Sequence, residues 1–496
     1  MSSRKELHPI MFTGTGSDVG KSVIAAAFCR IFLQDGYAPA PFKAQNMALN
    51  SYATPDGLEI GRAQAMQAEA ARAVCHTDMN PLLLKPCTDK MAQVVLNGKV
   101  WGNRDAYDYF KIEGREVLRR EVHRAFDRLS ARYNPVVMEG AGSISEINLR
   151  ETDLVNMPMA LYAGADVVLV ADIDRGGVFA SVYGSVMLLN EEERKHLKGI
   201  IINKFRGDIR LFESGIKMLE DLCGIPVLGV IPYFQHICLD QEDSLALTEK
   251  NRNASAGKVN VAVVLLRHLS NFTDFNVLEQ DERVHLYYAQ HPDDLSSADI
   301  VIVPGTKSTL SDLLELRRSG VAQAIVSAAR NGKTVLGICG GYQIMGEEVF
   351  DPDRVESDIP RLPGLGLLPV STTLCGEKIT RQTRFTFTGN GTSCSGYEIH
   401  MGDTRFLSEE VAPLNRCEDG RMDGCFKSER CMGTYMHGIL DNDGFLDYLL
   451  APYLNGSERR AFDYAAFKER QYDKLADHVR QHVDMDKIYE FLKQDE

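Results

Sequence analysis

Two short stretches bring together residue types that can do chemistry. The first is Met11-Phe12-Thr13-Gly14-Thr15-Gly16-Ser17-Asp18-Val19-Gly20-Lys21-Ser22. Its glycines let backbone N–H groups turn toward an anion, and the helix that follows points its positive end at the same place. Gly16 and Gly20 would shape that cradle, Lys21 would reach the β- and γ-phosphates of a nucleotide, and the Ser22 hydroxyl would hold Mg²⁺. Thr15 stands where the usual phosphate loop has its first glycine, flanked by Gly14 and Gly16. The plain alternative is a glycine-rich turn that serves only close packing.

The second stretch is Gly337-Ile338-Cys339-Gly340-Gly341-Tyr342-Gln343, a cysteine enclosed by glycines. A turn this tight holds its side chain out over a sheet, as a nucleophile elbow does. The following helix would point its positive end at the sulfur, and nearby backbone N–H groups can receive an oxyanion. Gly340 supplies one such donor, and Gly305 with Thr306, at a strand end, could supply another. A thiol nucleophile needs a base. Among the 12 histidines, His437 in Gly433-Thr434-Tyr435-Met436-His437-Gly438 is the first candidate and His400 in Tyr397-Glu398-Ile399-His400-Met401 its rival. A buried structural cysteine and a core histidine are the alternatives.

These residues need elements to position them. Ile10 to Phe12 reads as a buried strand and Val23 to Leu33 as the helix after the phosphate loop. Ala38 to Phe42 is a second strand, and it delivers Lys43-Ala44-Gln45-Asn46-Met47 to its carboxyl end, where ligands sit in parallel α/β sheets. Lys43 could meet phosphate there or lie solvated. Glu59 to Cys75 reads as an alanine-rich helix, Asn80 to Pro86 as a rigid apolar segment, and Glu113 to Leu129 as a charged helix. The strand at Pro135 to Met138 ends in Glu139, which is placed to be a Mg²⁺ ligand. Apolar runs at Asp166 to Ala171, Gly199 to Asn203 and Val227 to Ile231 continue the alternation. A mostly parallel sheet with helices on both faces follows.

At 496 residues the chain exceeds one core. A polar tract centred on Asn251 to Gly257 divides it, and fresh strands begin at Val259 and Asp299. The reading is therefore α/β with two doubly wound domains: residues 1–245 for the nucleotide, a linker at 246–258, residues 259–450 around Cys339, and a charged helical segment at 451–496. A net charge of −14 argues against nucleic acid as the main partner. No apolar run reaches membrane-spanning length. The 11 cysteines, without a Cys-x-x-Cys pair, suit reduced thiols in a cytoplasmic protein.

With both centres in view, the second half resembles the triad-type class I glutamine amidotransferases. One departure is Ile439, where such domains often carry a glutamate two residues after the histidine. That departure is shared by the cobyric/cobyrinic acid amidase family and leaves the orienter of His437 open. The first half resembles the dethiobiotin synthetase-like ATP-binding fold, in which the Thr15 variant and a Glu-Gly-Ala-Gly such as Glu139 to Gly142 are normal. The blocks Lys43 to Met47, Gly61-Arg62-Ala63-Gln64, Asn80 to Pro86, Asp172 to Gly177 and Gly396 to Gly402 resemble the cobyric acid branch of that family. The resemblance implies ATP and Mg²⁺ as cofactors, glutamine as nitrogen donor and adenosylcobyrinic acid a,c-diamide as substrate, in cobalamin biosynthesis. It implies an acyl phosphate made at one site and ammonia released from a Cys339 thioester at the other. Gln45, Asn46, Arg62 and Gln64 become candidate substrate residues. The alternatives are the sister a,c-diamide synthase, and a P-loop ATPase whose amidotransferase-like domain is an inactive scaffold.

Overall fold

The computed structural model describes residues 6–86, 91–105, 115–234, 237–239, 254–454 and 462–493. Most of the expected linker therefore lies outside the described residues. Strands β1 (Ile10–Gly14), β2 (Ala40–Phe42), β3 (Val136–Glu139), β4 (Asp166–Asp172), β5 (Leu197–Phe205) and β6 (Val227–Pro232) form one parallel sheet in the order β6-β5-β4-β1-β3-β2. β1 lies next to β3 and β4, with Phe12 opposite Glu139 and Gly14 opposite Val170. Their residues are buried throughout, as expected of strands covered on both faces. The helices α1 (Lys21–Gln34) and α2 (Arg62–Ala71) pack against each other beside this sheet.

A second sheet carries the other centre. It is built from β7 (Val259–Val264), β8 (Val284–Ala289), β9 (Ile300–Val303), β10 (Thr334–Ile338), β11 (Cys425–Ser428) and β12 (Cys431–Thr434), in the order β8-β7-β9-β10-β12-β11. Only the β11–β12 pair is antiparallel. The short helix Gly340–Met345 leaves β10 directly after Cys339. The doubly wound α/β class is thus observed in both halves.

Several elements depart from the sequence reading. Glu59–Gly61 is a strand paired with Ser51–Ala53, so α2 starts only at Arg62. A Cβ on Gly61 would lie 2.7 Å from Gln64 Oε1 and 2.9 Å from Asn46 Nδ2, so a larger residue would displace these amides from their present positions. A long antiparallel hairpin, Val370–Phe387 with Ser393–Phe406, extends from the second half against the first. Its period-2 pattern has polar residues on both faces, which hid it among loop-like sequence.

The helices Tyr464–His482 and Met485–Leu492, reached after the second half, pack back on the first. Tyr472, Leu475, Ala476 and Val479 share a core with Ile24, Phe28 and Phe32 of α1. Arg30, 2 % exposed, donates to Glu469 at 3.1 Å, and Arg480 reaches Asp35 at 2.7 Å. Among the described residues no helix is long and apolar enough to cross a membrane, and the cysteines are free thiols.

Candidate active site

The phosphate loop runs from β1 into α1. Gly20 has φ +98°, and a Cβ there would fall 2.2 Å from Asn203 Nδ2, so only glycine fits. Asn203 donates to Val19 O at 2.8 Å and braces the loop from β5. Lys204 beside it pairs with Asp172 at 3.0 Å. Lys21 Nζ bridges Gly16 O at 2.8 Å and Gly142 O at 2.9 Å, which places its ammonium between the loop and the turn after β3. A cleft of about 990 Å³ opens here, lined by Lys21, Ser22, Lys43, Gln45, Asn46 and Glu139 among others.

Glu139 is the hub of this cleft. Ser22 Oγ and Lys43 Nζ donate to its Oε1 at 2.8 and 2.7 Å, and Gln67 Nε2 donates to its Oε2 at 2.7 Å. Burial alone would raise the carboxyl pKa. The Lys43 ammonium and the hydrogen bonds from Gln67 and Ser22 outweigh it and hold the group below the usual carboxylate range. A hydroxyl and an ionised carboxylate 2.8 Å apart, beside a glycine cradle, fit Mg²⁺ bound mainly by nucleotide phosphates. No cluster of three or more metal-ligating side chains occurs among the described residues, so a cage made by protein alone is not what the cleft offers.

Of the other sequence candidates, Gln45 and Asn46 line the cleft, whereas Arg62 and Gln64 do not. Gln64 Oε1 accepts from Asn46 Nδ2 at 3.2 Å, and Asn80 accepts from Gly61 N at 3.2 Å while donating to Lys43 O at 3.0 Å. The separate sequence blocks are therefore one buried hydrogen-bonded scaffold. Arg62 lies over the Tyr52 ring and pairs with Glu69 at 3.6 Å.

In the second half, Cys339 adopts φ 52° and ψ −112°, a strained elbow. Its glycines are forced: a Cβ on Gly341 would stand 1.8 Å from Val303 O, and one on Gly340 2.7 Å from Thr306 Cγ2. Gly305 lies on the other side, where a Cβ would be 3.3 Å from His437 Cε1. Gly305, Thr306, Gly340, Cys339 and His437 are thus brought to one point. The Cys339 thiol donates to Ile399 O at 3.4 Å, and its sulfur acts electrostatically on the His437 ring.

The orienter that the sequence left open is Asp274. Its Oδ2 lies 2.7 Å from His437 Nδ1, and its Oδ1 accepts from Gly438 N at 3.0 Å. Both side chains are buried, 1 % and 3 % exposed. Burial disfavours a charged imidazole. The Asp274 carboxylate and the Cys339 sulfur outweigh that penalty and lift the His437 pKa from 6.5 to about 10. Asp274 sits in the turn Phe272–Phe275 after β7. Sequence reasoning missed it because it looked only downstream of the histidine. A carboxylate in the loop beyond a parallel strand's carboxyl end was the available signal. His400, the rival base, stacks on Tyr435 with ring centres 3.7 Å apart and has Glu398 at 3.4 Å.

Residues 10–246 match the family model described as a CobQ/CobB/MinD/ParA nucleotide binding domain, and residues 260–445 match a CobB/CobQ-like glutamine amidotransferase domain. Three curated relatives, each a cobyric acid synthase, match nearly end to end. The protein of Bacteroides fragilis is 72% identical over 98% of this chain and 99% of its own. That of Phocaeicola vulgatus is 68% identical over 99% of each chain, and that of Parabacteroides distasonis 58% identical over 99% and 100%.

Proposed function

The chain belongs to the cobyric acid synthase family of ATP-using glutamine amidotransferase ligases, and on that premise we propose how its two centres divide the work. The substrate is adenosylcobyrinic acid a,c-diamide. The b, d, e and g propionate carboxylates are converted to amides with glutamine nitrogen, giving adenosylcobyric acid. The observation that carries this reading is the buried Cys339–His437–Asp274 site in the same chain as the Lys21–Ser22–Glu139 cradle.

At the thiol site, His437 Nε2 takes the Cys339 proton and the sulfur attacks the glutamine amide carbon. The N–H groups around Gly305 and Gly340 receive the oxyanion. His437 then returns the proton to the departing nitrogen, ammonia leaves, and water cleaves the thioester to glutamate. Asp274 holds the ring in the tautomer that leaves Nε2 as the base.

At the cradle, a propionate oxygen attacks the γ-phosphorus of ATP, giving an acyl phosphate and ADP. Ammonia then displaces phosphate from that anhydride. Lys21 and the loop N–H groups hold the phosphates, and Ser22 with Glu139 would hold Mg²⁺, which supplies charge neutralisation there. Lys43 keeps Glu139 ionised. Gln45 and Asn46 face the carboxylate substrate, with Gln64 fixing Asn46 from below. Residues 1–245 and 259–450 carry the respective activities. Ammonia must pass between them without meeting bulk water, where it becomes an inert cation.

The test is direct. The protein is incubated with glutamine, Mg·ATP and the a,c-diamide, and the corrinoid mass is followed. Successive acid-to-amide steps are expected. Turnover of cobyrinic acid at its a and c positions in a parallel incubation, with none of the a,c-diamide, would assign the sister reaction, and absence of glutamine hydrolysis would leave an ATPase with a silent second half.

A further inference from the structure

The catalytic histidine is touched from the other half of the chain. Asn271 stands three residues before Asp274 and is 3 % exposed, with a left-handed backbone at φ 53°. Its Oδ1 accepts the backbone N–H of Ser51, from the nucleotide half, at 2.9 Å. That contact fixes the amide's orientation, because a backbone N–H can only donate. The Nδ2 group therefore points the other way, and it lies 3.3 Å from His437 Nε2. A second contact runs beside the first: Phe272 N donates to Asn50 Oδ1 at 3.3 Å.

The position of this amide is chemically specific. Nε2 is the atom that must take the Cys339 proton. An N–H aimed at it satisfies a neutral ring and opposes a protonated one, since two donors would then face each other. Asp274 pulls the ring toward the charged form from Nδ1, and Asn271 restrains it at Nε2. In the same arrangement the thiol has an alternative acceptor in Ile399 O.

The Asn50–Ser51 turn is wired to the phosphate cradle. Asn50 O accepts from Arg62 N, at the start of α2, at 3.2 Å. Further along α2, Gln64 holds Asn46, which lines the cleft, and Gln67 meets Glu139. Ser51 Oγ donates to Glu59 at 2.7 Å and accepts from Lys85 at 2.8 Å, and Glu59 also pairs with Lys378 on the hairpin. Loading of the cleft must rearrange the Ser22–Glu139–Gln67 bonds, so α2 and its Asn50 contact feel it.

We propose that Asn271 is a latch through which the unloaded synthetase half restrains glutamine hydrolysis, released when that half binds its substrates. This rests on the function proposed above and adds the regulation of its thiol site. Asn271 is a positioning residue, acting through His437.

Two variants test it. Asn271→Ala removes the amide. Asn271→Asp keeps an acceptor for Ser51 N–H but turns an oxygen, not a donor, toward Nε2. Glutamate release is measured with glutamine alone, then with Mg·ATP and the a,c-diamide added, and amide formation is read by mass in the same samples. The wild-type amide yield tests the underlying function separately, and amidation supported by ammonium chloride reports that the synthetase half is folded. Both variants should raise the idle glutaminase kcat by about tenfold, the worth of one hydrogen bond to the reacting nitrogen, with little change in the KM for glutamine. Their glutamate-to-amide ratio should rise above the wild-type value. A purely structural role for Asn271 would lower hydrolysis instead. Idle hydrolysis at or below the wild-type rate in both variants overturns the latch, as does a wild-type rate that is the same with and without Mg·ATP and the corrinoid.

Discussion

Replacing Asp274 by asparagine is the sharpest test of the thiol site, because the structure dictates how the new side chain must sit. Gly438 N–H donates to Asp274 Oδ1 at 3.0 Å, so an asparagine oxygen would stay on that donor. Its NH₂ group would then face His437 Nδ1, now 2.7 Å from a carboxylate oxygen. Two donors would meet at 2.7 Å, and the ring would relieve that closer clash by moving its proton to Nε2, against the longer 3.3 Å contact from Asn271 Nδ2, which abolishes the lone pair that takes the Cys339 proton. The lost charge-assisted hydrogen bond accounts for about 1.5–3 kcal/mol. With the wrong tautomer added, the total reaches about 4–5.5 kcal/mol, or ~10³- to 10⁴-fold in glutamine-dependent kcat. Asp274→Ala leaves the ring free to choose its tautomer, so its loss should be no larger than that of the asparagine variant. The assay is amide formation with glutamine against amide formation with ammonium chloride. Only the glutamine rate should fall. If Asp274→Asn kept more than about a tenth of the glutamine-dependent rate, the triad assignment would be wrong.

Lys21→Ala should lower amidation by at least ~100-fold with either nitrogen source while the protein still hydrolyses glutamine, measured as glutamate release. Chelation of divalent metal should stop ATP turnover and drop glutamine hydrolysis to its idle rate without abolishing it, and Glu139→Gln should raise the Mg²⁺ concentration needed for half-maximal amidation. Glu59→Gln leaves the Lys85 and Lys378 ammonium groups buried without their carboxylate, and chemical denaturation should register a loss of about 3–5 kcal/mol. Burial pushes the Lys378 ammonium down from 10.5 to about 7. Between that value and its unfolded value the folded chain binds fewer protons than the unfolded one, so this lysine makes stability rise with pH across that window. Lys378→Met should flatten the rise in thermal midpoint from pH 7 to 10, and an unchanged slope would refute the assignment.

How much of this could be read beforehand depended on whether the signal was local. The phosphate loop and the Cys339 elbow each occupy a dozen residues or fewer, with their strand and helix attached, and their glycines are required by contacts as short as 1.8 Å. Glu139 was legible as an acid at a strand end. Asp274 was not, because its link to His437 spans a sequence separation of 163 and its own surroundings, Asn271-Phe272-Thr273-Asp274-Phe275, carry no pattern. The contacts between the halves were equally silent. Glu59 reads as a helix-starting acid, yet its two ion-pair partners are Lys85 and, on a hairpin, Lys378. Arg62 shows the limit of motif transfer: its block is distinctive, but its guanidinium serves Tyr52 and Glu69 and does not line the cleft.

The return of the last helices onto α1 has a consequence for how such a chain could be taken apart. Leu7 bridges to Lys493, and Asp484 N donates to Leu228 O at 2.7 Å, so the nucleotide fold is completed by residues that come after the glutaminase. Topologically the glutaminase is a guest spliced into a host. Severing the backbone once between the two would not release them, and a truncation that removed the final helices would strip the host of part of its own core. Excising the guest and rejoining the host's flanks is the cut that respects this topology, and it should yield a synthetase fed only by ammonia.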